Sequence, residues 1–189
     1  SATQEETDRW REEARKAAEE ADVVVMPLGE HCFQSGEAAS RAFIEIPKIQ
    51  QDLFRAVSEV NPNVVAVVFS GRPLDLRVIS ERARAVLSVW MPGMEGGRAI
   101  IDVLTGTRTP SGKLPMSFPY CVGQVPVHYD SLMTGRPYRK GKPERYVSRY
   151  QDIPADPLYS FGYGLTYTSM ELSEVRLSKN ELMPGEEIE

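Results

Sequence analysis

The chain has 189 residues, of which 41% are hydrophobic and 26% are charged, a composition typical of a globular domain with a sizeable core. Its formal net charge of −5 and the lack of a basic cluster argue against nucleic acid as a partner, and no apolar run is long enough to suggest a membrane span. The two distant cysteines, Cys32 and Cys121, fit neither a disulfide framework nor a zinc site.

The first third of the chain alternates between helix and strand patterns. Apolar residues at helical spacing predict an amphipathic helix over residues 5–21. Valine-rich runs at 22–28 and 63–69 predict two buried parallel strands. Between them, Pro47 suits the first position of a helix whose apolar face extends to residue 60.

The same alternation continues to residue 118. A short helix is predicted at 76–84 and a third strand at 85–90. A fourth strand is predicted at 113–118, at a sheet edge because its prolines cannot donate ladder hydrogen bonds. Between these strands, three glycines turn the chain into another helix with an apolar face: Gly93, Gly96 and Gly97, followed by Ile100, Val103 and Leu104.

This order of elements predicts an α/β fold, a three-layer sandwich with a mostly parallel sheet between flanking helices. Such sheets carry their binding groups on the loops that follow the carboxyl ends of the strands. Here those loops begin at Gly29, Ser70 and Met91, and the first is a long polar loop that ends at residue 45.

The last third of the chain lacks clear periodicity. Residues 121–168 are rich in Arg, Tyr and Pro, and we interpret them as a long arm that closes the domain formed by residues 1–120. Residues 171–177 alternate as a strand does and predict the start of a further β module over 169–189. Three aromatic residues of the arm are interpreted as anchors: Phe161, Tyr163 and Tyr167.

Three stretches resemble the second domain of family 3 glycoside hydrolases, the β-glucosidase and β-xylosidase group. They read GMEGGRAIIDVLTGTRTPSGKLPMSFP at 93–119, LYSFGYGLTYT at 158–168 and LGEHCFQSGEAASR at 28–41. The resemblance implies a parent with a (β/α)8 barrel, then a six-stranded α/β sandwich, and often a fibronectin type III domain. The chain corresponds to the sandwich, truncated at its N-terminal side, and to the start of the fibronectin-like module.

The resemblance also implies partners and a division of labour. We expect the barrel and the opening strand of the sandwich to lie outside these residues, and we expect an unpaired sheet edge to favour self-association. The implied substrates are β-linked glucosides or oligosaccharides, hydrolysed without a metal or an organic cofactor. The compartment stays open between periplasmic or secreted and cytoplasmic in a bacterium, and the isolated chain is expected to be inactive.

Retaining hydrolysis requires two carboxyl groups about 5–5.5 Å apart, one as nucleophile and one as general acid/base. In the family, the nucleophile is an aspartate on the barrel and the acid/base is a glutamate on a sandwich loop. That glutamate corresponds best to Glu37. Glu30 is the alternative, but it directly follows a strand, and a structural role in bonding loop amides or orienting His31 is the competing interpretation.

Further residues are candidates for sugar contacts. Gln34, Ser35 and Arg41 flank Glu37, although Arg41 could instead pair with Glu37 or Glu45. Trp90 ends a predicted strand and could stack on a sugar or pack in the core. The competing function is a non-catalytic carbohydrate-binding or assembly module.

Overall fold

A computed structural model describes residues 2–142, 144–171 and 173–188. The first helix, α1, spans Gln4–Glu19. It begins at a capping box, in which the Glu6 amide donates to Thr3 Oγ1 at 3.2 Å and the Thr3 amide donates to Glu6 Oε2 at 2.8 Å. The Thr3 hydroxyl also donates to Glu6 Oε2 at 3.1 Å, and the two bonds from the Thr3 amide and hydroxyl to this carboxylate lower the pKa of Glu6 below its usual value. Near the end of α1, the buried Asn61 side chain donates to the carbonyls of Ala18 and Ala21.

The centre of the domain is a parallel sheet in the order β1-β2-β3. Its strands are β1 at Val24–Gly29, β2 at Val64–Phe69 and β3 at Ala85–Ser88. The helices that follow α1 are α2 at Lys48–Val60, α3 at Arg77–Arg82 and α4 at Gly96–Leu104. A parallel sheet with flanking helices confirms the predicted fold class, with the 76–84 helix and the 85–90 strand shorter than predicted.

One face of the sheet holds the core. Alternate residues of β1 and β2, such as Leu28 and Val68, pack with Phe54 and Val57 of α2 and with Ile79 of α3. Burial of a side chain such as Phe54 contributes about 2–3 kcal/mol. None of the helices in the described part of the chain combines the length and apolarity that a bilayer crossing requires.

The other side of the sheet is more open. Val25 of β1 is about half exposed, and β3 pairs only with β2 among the described residues. A cavity of about 450 Å³ lies beside β3, lined by Leu87, by Val103 and Leu104 of α4, and by Tyr163 of the arm. The outer edge of β3 therefore faces an apolar cavity.

The prediction of a strand at 113–118 is wrong. Leu114 and Phe118 donate to the carbonyls of Tyr163 and Tyr159, both at 2.8 Å, and only an isolated antiparallel bridge forms between Phe118 and Tyr159. Pro115 and Pro119 have no amide hydrogen, so a continuous ladder of hydrogen bonds cannot form there.

The strand predicted at 171–177 is also wrong for the residues that the structure describes there, 171 and 173–177; the rest of that prediction falls on residue 172, outside the described residues. Alternation alone does not make a strand, because a strand needs a neighbour to satisfy its backbone groups.

The arm is held by polar contacts rather than by regular structure. Gln124, in a short 3-10 turn at Val122–Gln124, is buried. Its side chain accepts from the Tyr120 amide at 2.7 Å and donates to the carbonyls of Pro154 and Asp156 at 3.0 and 3.2 Å. One glutamine thus joins the two ends of the 120–157 segment.

Candidate active site at the carboxyl edge of the sheet

The exit of the chain from β1 is fixed by Gly29. Its φ of +146° lies in the region that favours glycine, and a Cβ at this position would overlap the carbonyl oxygen of Phe69. The Gln50 side chain accepts from the Gly29 amide at 2.8 Å and donates to the Gly29 carbonyl at 3.0 Å. The Glu30 amide then donates to the Phe69 carbonyl at 3.0 Å. The first residues of the loop are therefore placed by backbone geometry.

Glu30 forms a buried ion pair with two arginines, and we call these three residues the arginine clamp. Arg41 Nη1 lies 2.8 Å from Glu30 Oε1, and Arg72 Nε lies 3.2 Å from Glu30 Oε2. The Glu30 side chain is 0% exposed, and those of Arg41 and Arg72 are 22% and 25% exposed. A carboxylate this deep is tolerated because both of its oxygens are paired.

Arg72 also binds the backbone on both sides of the loop tip. Its Nη2 donates to the Gln34 carbonyl at 2.7 Å and to the Ala39 carbonyl at 3.0 Å. One planar guanidinium therefore joins Glu30 to the start and the end of the segment 35–38. The sequence analysis missed Arg72, although it lies two residues into the loop that starts at Ser70, on the edge where binding groups were expected.

Glu37 lies at the tip of this loop and is exposed. It is flanked by Gly36, with φ of +114°, and Ala38, with φ of +57°, so the backbone turns sharply around it. The Ala39 amide donates to the Gly36 carbonyl at 3.3 Å. No side-chain hydrogen bond or ion pair of Glu37 is formed with any residue that the structure describes. Its carboxyl group is therefore available to an outside molecule.

The neighbours of Glu37 take structural contacts in this chain. The Gln34 side chain accepts from the His31 amide at 2.8 Å, and His31 Nδ1 accepts from the Phe33 amide at 3.3 Å, which together close the 3-10 turn Cys32–Gln34. Arg41 pairs with Glu30, not with Glu37 or Glu45. Glu30 was expected to bond loop amides or to orient His31, but its two carboxylate oxygens accept from the guanidinium groups of Arg41 and Arg72 instead.

Ser35 lies on the first loop and contacts the second, and Trp90 lies between β3 and the third loop. The Ser35 hydroxyl approaches Gly71 so closely that a Cβ on Gly71 would overlap it. The Trp90 ring is half-buried and packs on Phe118 at a centroid distance of 5.7 Å, with a φ of +51° that is unusual for a bulky residue. Trp90 therefore contributes to packing, and its sugar contact stays a prediction.

A second attachment holds the far end of the first loop. The Asp75 amide donates to the Ile44 carbonyl at 2.8 Å, and Glu45 and Asp75 form an isolated parallel bridge. Arg77 Nη2 lies 2.7 Å from Asp75 Oδ2, and the hydrogen bonds to this carboxylate raise the pKa of Arg77 above its usual value. The loop is thus fixed at both ends and by Arg72 near its tip.

Large apolar side chains are exposed on the loops at the same edge, and we call them the apolar rim. They come from the first and third loops: Phe33, Phe43, Met91 and Met94. Phe33 is 87% and Met94 is 100% exposed. Exposed apolar residues that gather around a polar site are typical of a surface that meets another protein surface.

Comparisons with known proteins agree on one family. The model of the glycosyl hydrolase family 3 C-terminal domain matches residues 2–167. A periplasmic β-glucosidase of Salmonella typhimurium is 51% identical over 167 residues, which is 88% of this chain and 22% of that protein. A β-xylosidase of Formosa agariphila is 35% identical over 174 residues, 90% of this chain and 22% of that protein.

Solved structures give the same result. A crystal structure of the β-glucosidase from Listeria innocua in complex with gluconolactone matches with a TM-score of 0.83 and 44% sequence identity, over 94% of this chain and 24% of that one. A family 3 β-glucosidase from Bifidobacterium adolescentis matches with a TM-score of 0.72 and 28% identity, over 92% of this chain and 26% of that one. The chain therefore spans about a quarter of the length of the proteins it matches.

Proposed function

The chain belongs to glycoside hydrolase family 3, as its C-terminal domain, and on this premise we propose that it supplies the general acid/base, Glu37, of a retaining exo-β-glucosidase. The relatives named as β-glucosidases and β-xylosidases support this class of reaction. The proposed substrates carry terminal β-glucosyl residues.

The observation that carries the proposal is the contrast between two carboxylates on one loop. Glu30 is 0% exposed in its side chain and has both oxygens paired with arginine, so it cannot reach a glycosidic oxygen without breaking a buried ion pair. Glu37 is exposed on the loop tip and is not paired with any described residue. A general acid must touch the proton acceptor in the substrate, and of these two carboxylates Glu37 is the one that is free to do so.

The proposed reaction has two steps. An aspartate of the barrel attacks the anomeric carbon while Glu37 gives its proton to the leaving oxygen, and Glu37 then removes a proton from the water that releases the sugar. A carboxyl group that leaves water is favoured in its protonated form, and docking of the tip against a barrel supplies that change of environment. Gln34, Ser35, Arg41 and Trp90 stay candidates for sugar contacts at the same edge.

The apolar rim supports the barrel as the partner of this edge. Phe33, Phe43, Met91 and Met94 are exposed on the loops that surround Glu37, and covering them stabilises a contact by about 25 cal/mol for each Å² buried. Docking here would bring the tip of the first loop to the surface of the barrel.

A second contact is proposed at the edge of β3 that has no partner strand among the described residues, where two copies of the chain could associate. Light scattering that shows a monomer at rising protein concentration would contradict this self-association.

The proposed domain limits follow from the contacts of the arm. We assign residues 1–120 to the sandwich, 121–168 to an arm that closes it, and 169–189 to the start of a further module. The Tyr167 hydroxyl donates to the Val103 carbonyl at 2.8 Å, and Tyr129 stacks on Phe161 at 4.2 Å. The first contact supports an arm that folds back on the domain, and the second lies within the arm itself.

The test uses the full-length polypeptide with Glu37→Ala and aryl β-glucosides with good and poor leaving groups. Because a good leaving group departs without a proton, kcat/KM should fall little for 2,4-dinitrophenyl glucoside and by about 100-fold or more for phenyl glucoside. Glu59→Ala, an exposed residue of α2, is the control. Equal values of kcat/KM for the variant and the unmodified enzyme on both substrates would contradict the proposal.

A further inference from the structure

Among the described residues, Arg72 is the one side chain that forms hydrogen bonds both to the base of the first loop and to the two flanks of its tip. It makes three hydrogen bonds: to the Glu30 carboxylate at 3.2 Å, to the Gln34 carbonyl at 2.7 Å and to the Ala39 carbonyl at 3.0 Å. These acceptors lie on a loop of a different strand, because Arg72 follows β2 and the loop follows β1. The contact therefore couples two loops of the sheet edge.

We propose that Arg72 is a positioning residue for the general acid/base: it fixes the flanks of the segment 35–38 so that the Glu37 carboxyl group is held at the distance the reaction requires. The proposal rests on the proposed function of Glu37. It goes further by assigning a role in the reaction to a side chain that does not face the substrate.

Among the described residues, no other side chain donates a hydrogen bond to the flanks of the tip, although Ser35 packs closely against Gly71. Ser35, Gly36, Glu37 and Ala38 make no side-chain hydrogen bond with the described residues, and the only backbone hydrogen bond across them joins Ala39 to Gly36 at 3.3 Å. Ala38, beside Glu37, has a positive φ of 57°, a conformation that a residue other than glycine keeps only when its surroundings fix it. The two carbonyl contacts of Arg72 are the side-chain interactions that fix it.

The ion pair with Glu30 explains why the guanidinium stays in place. Its Nε faces a carboxylate that is 0% exposed and lies directly after a strand, so the arginine is held from the rigid side of the loop. The second arginine of the clamp, Arg41, neutralises the other oxygen of Glu30 but has no hydrogen bond to the backbone of the tip among the described residues. Placement of the tip is therefore a function of Arg72 within the clamp.

A loss of placement differs measurably from a loss of folding. If Arg72 only stabilised the domain, its replacement would lower the active fraction and reduce kcat/KM by the same factor for every substrate. If it positions the acid, the loss should grow with the pKa of the leaving group, because only poor leaving groups need the proton. A displacement of about 1 Å can cost about 100-fold in rate.

The experiment uses the full-length polypeptide with Arg72→Lys, which keeps a positive charge opposite Glu30 but lacks the planar fork that reaches both carbonyls. The matched control is Arg11→Lys, since Arg11 also pairs with a carboxylate, Asp8 at 3.1 Å, but lies on α1 and not on a loop of the sheet edge. Kinetics on a series of aryl β-glucosides are measured beside thermal unfolding for both variants.

We expect Arg72→Lys to lower kcat/KM by about 10- to 100-fold for phenyl glucoside and by less than about threefold for 2,4-dinitrophenyl glucoside. Arg11→Lys should leave both values unchanged. An equal loss on both substrates for Arg72→Lys, or no loss on either, would overturn the proposal.

If Arg72→Lys does not fold, the double variant Glu30→Gln with Arg72→Gln removes both charges together and takes its place in the same assay. A failure of the proposed function is distinguished by Glu37→Ala: if that variant shows the leaving-group dependence and the Arg72 variant does not, only the positioning role is wrong.

Discussion

At its base, the loop that follows β1 carries Glu30, buried and bonded to two arginines; at its tip it carries Glu37, exposed and unpaired with any described residue. The same type of side chain thus has two different environments on one loop. An enclosed and paired carboxylate fixes structure, whereas a carboxylate presented at a tip is available to a substrate. Burial and partners therefore separate the structural contacts of Glu30 from the catalytic role proposed for Glu37.

The largest loss of stability is expected from a substitution at Gly29, where the base of the first loop leaves the sheet. Gly29→Ala places a Cβ against the Phe69 carbonyl and forces an unfavourable φ, so it should reduce the free energy of unfolding by about 4 kcal/mol. Urea unfolding of the chain followed by circular dichroism measures this. Gly97→Ala, at a helical position with free space and no positive φ, is the control and should cost nothing; a similar result for both glycines would mean that the base is not rigid.

The arginine clamp gives the next effect. Glu30→Ala leaves Arg41 and Arg72 without their carboxylate. Because the two arginine side chains are 22% and 25% exposed to solvent, the free energy of unfolding should fall by about 2–3 kcal/mol, at the low end for a broken buried pair. The same urea titration applies. A loss below about 0.5 kcal/mol would show that the clamp does not hold the base.

Gln50 provides a smaller test of the same region. Gln50→Ala removes both hydrogen bonds to Gly29, and at about 1 kcal/mol for each bond the free energy of unfolding should fall by about 2 kcal/mol. Gln4→Ala is the control, since the side chain of Gln4 donates a hydrogen bond to Asp8 on the surface of α1 and should contribute a few tenths of a kcal/mol. Equal effects of the two variants would show that the hydrogen bonds of Gln50 to Gly29 do not stabilise the base of the first loop.

The tip should respond least in stability. Glu37→Ala removes an exposed side chain that is not paired with a described residue, and such changes stay within about 0.5 kcal/mol. The unfolding midpoint in urea is therefore expected to stay where it is. A loss comparable with that of Glu30→Ala would mean that Glu37 has a structural partner and that the contrast between base and tip is false.

The sequence predicts the sheet better than the site. The valine runs at 22–28 and 63–69 predict two parallel strands, and both strands form there, although β1 buries mainly one of its faces. The strand predicted at 113–118 was wrong because prolines interrupt its ladder, and the alternation at 171–177 has no partner strand among the described residues.

The site needs contacts between loops of different strands, which no local pattern records. Glu37 was predicted as the acid/base from the resemblance to family 3 glycoside hydrolases, with Glu30 as the alternative on the same loop. Arg72 was missed because its three acceptors lie on the other loop, and nothing in the residues 70–76 alone indicates them. Loop contacts of this kind can be inferred only once the parallel order of β1 and β2 places both loops at one edge.

The central claim is that Glu37 is the acid/base and not the nucleophile, and the most direct measurement is the reaction of the full-length Glu37→Ala enzyme with azide. With 2,4-dinitrophenyl β-glucoside, azide should accelerate turnover and yield β-glucosyl azide, because the anion replaces the activated water on the same face of the glycosyl-enzyme. The contradicting result is no response to azide with undiminished hydrolysis, which leaves Glu37 without a role in catalysis, or α-glucosyl azide, which makes it the nucleophile.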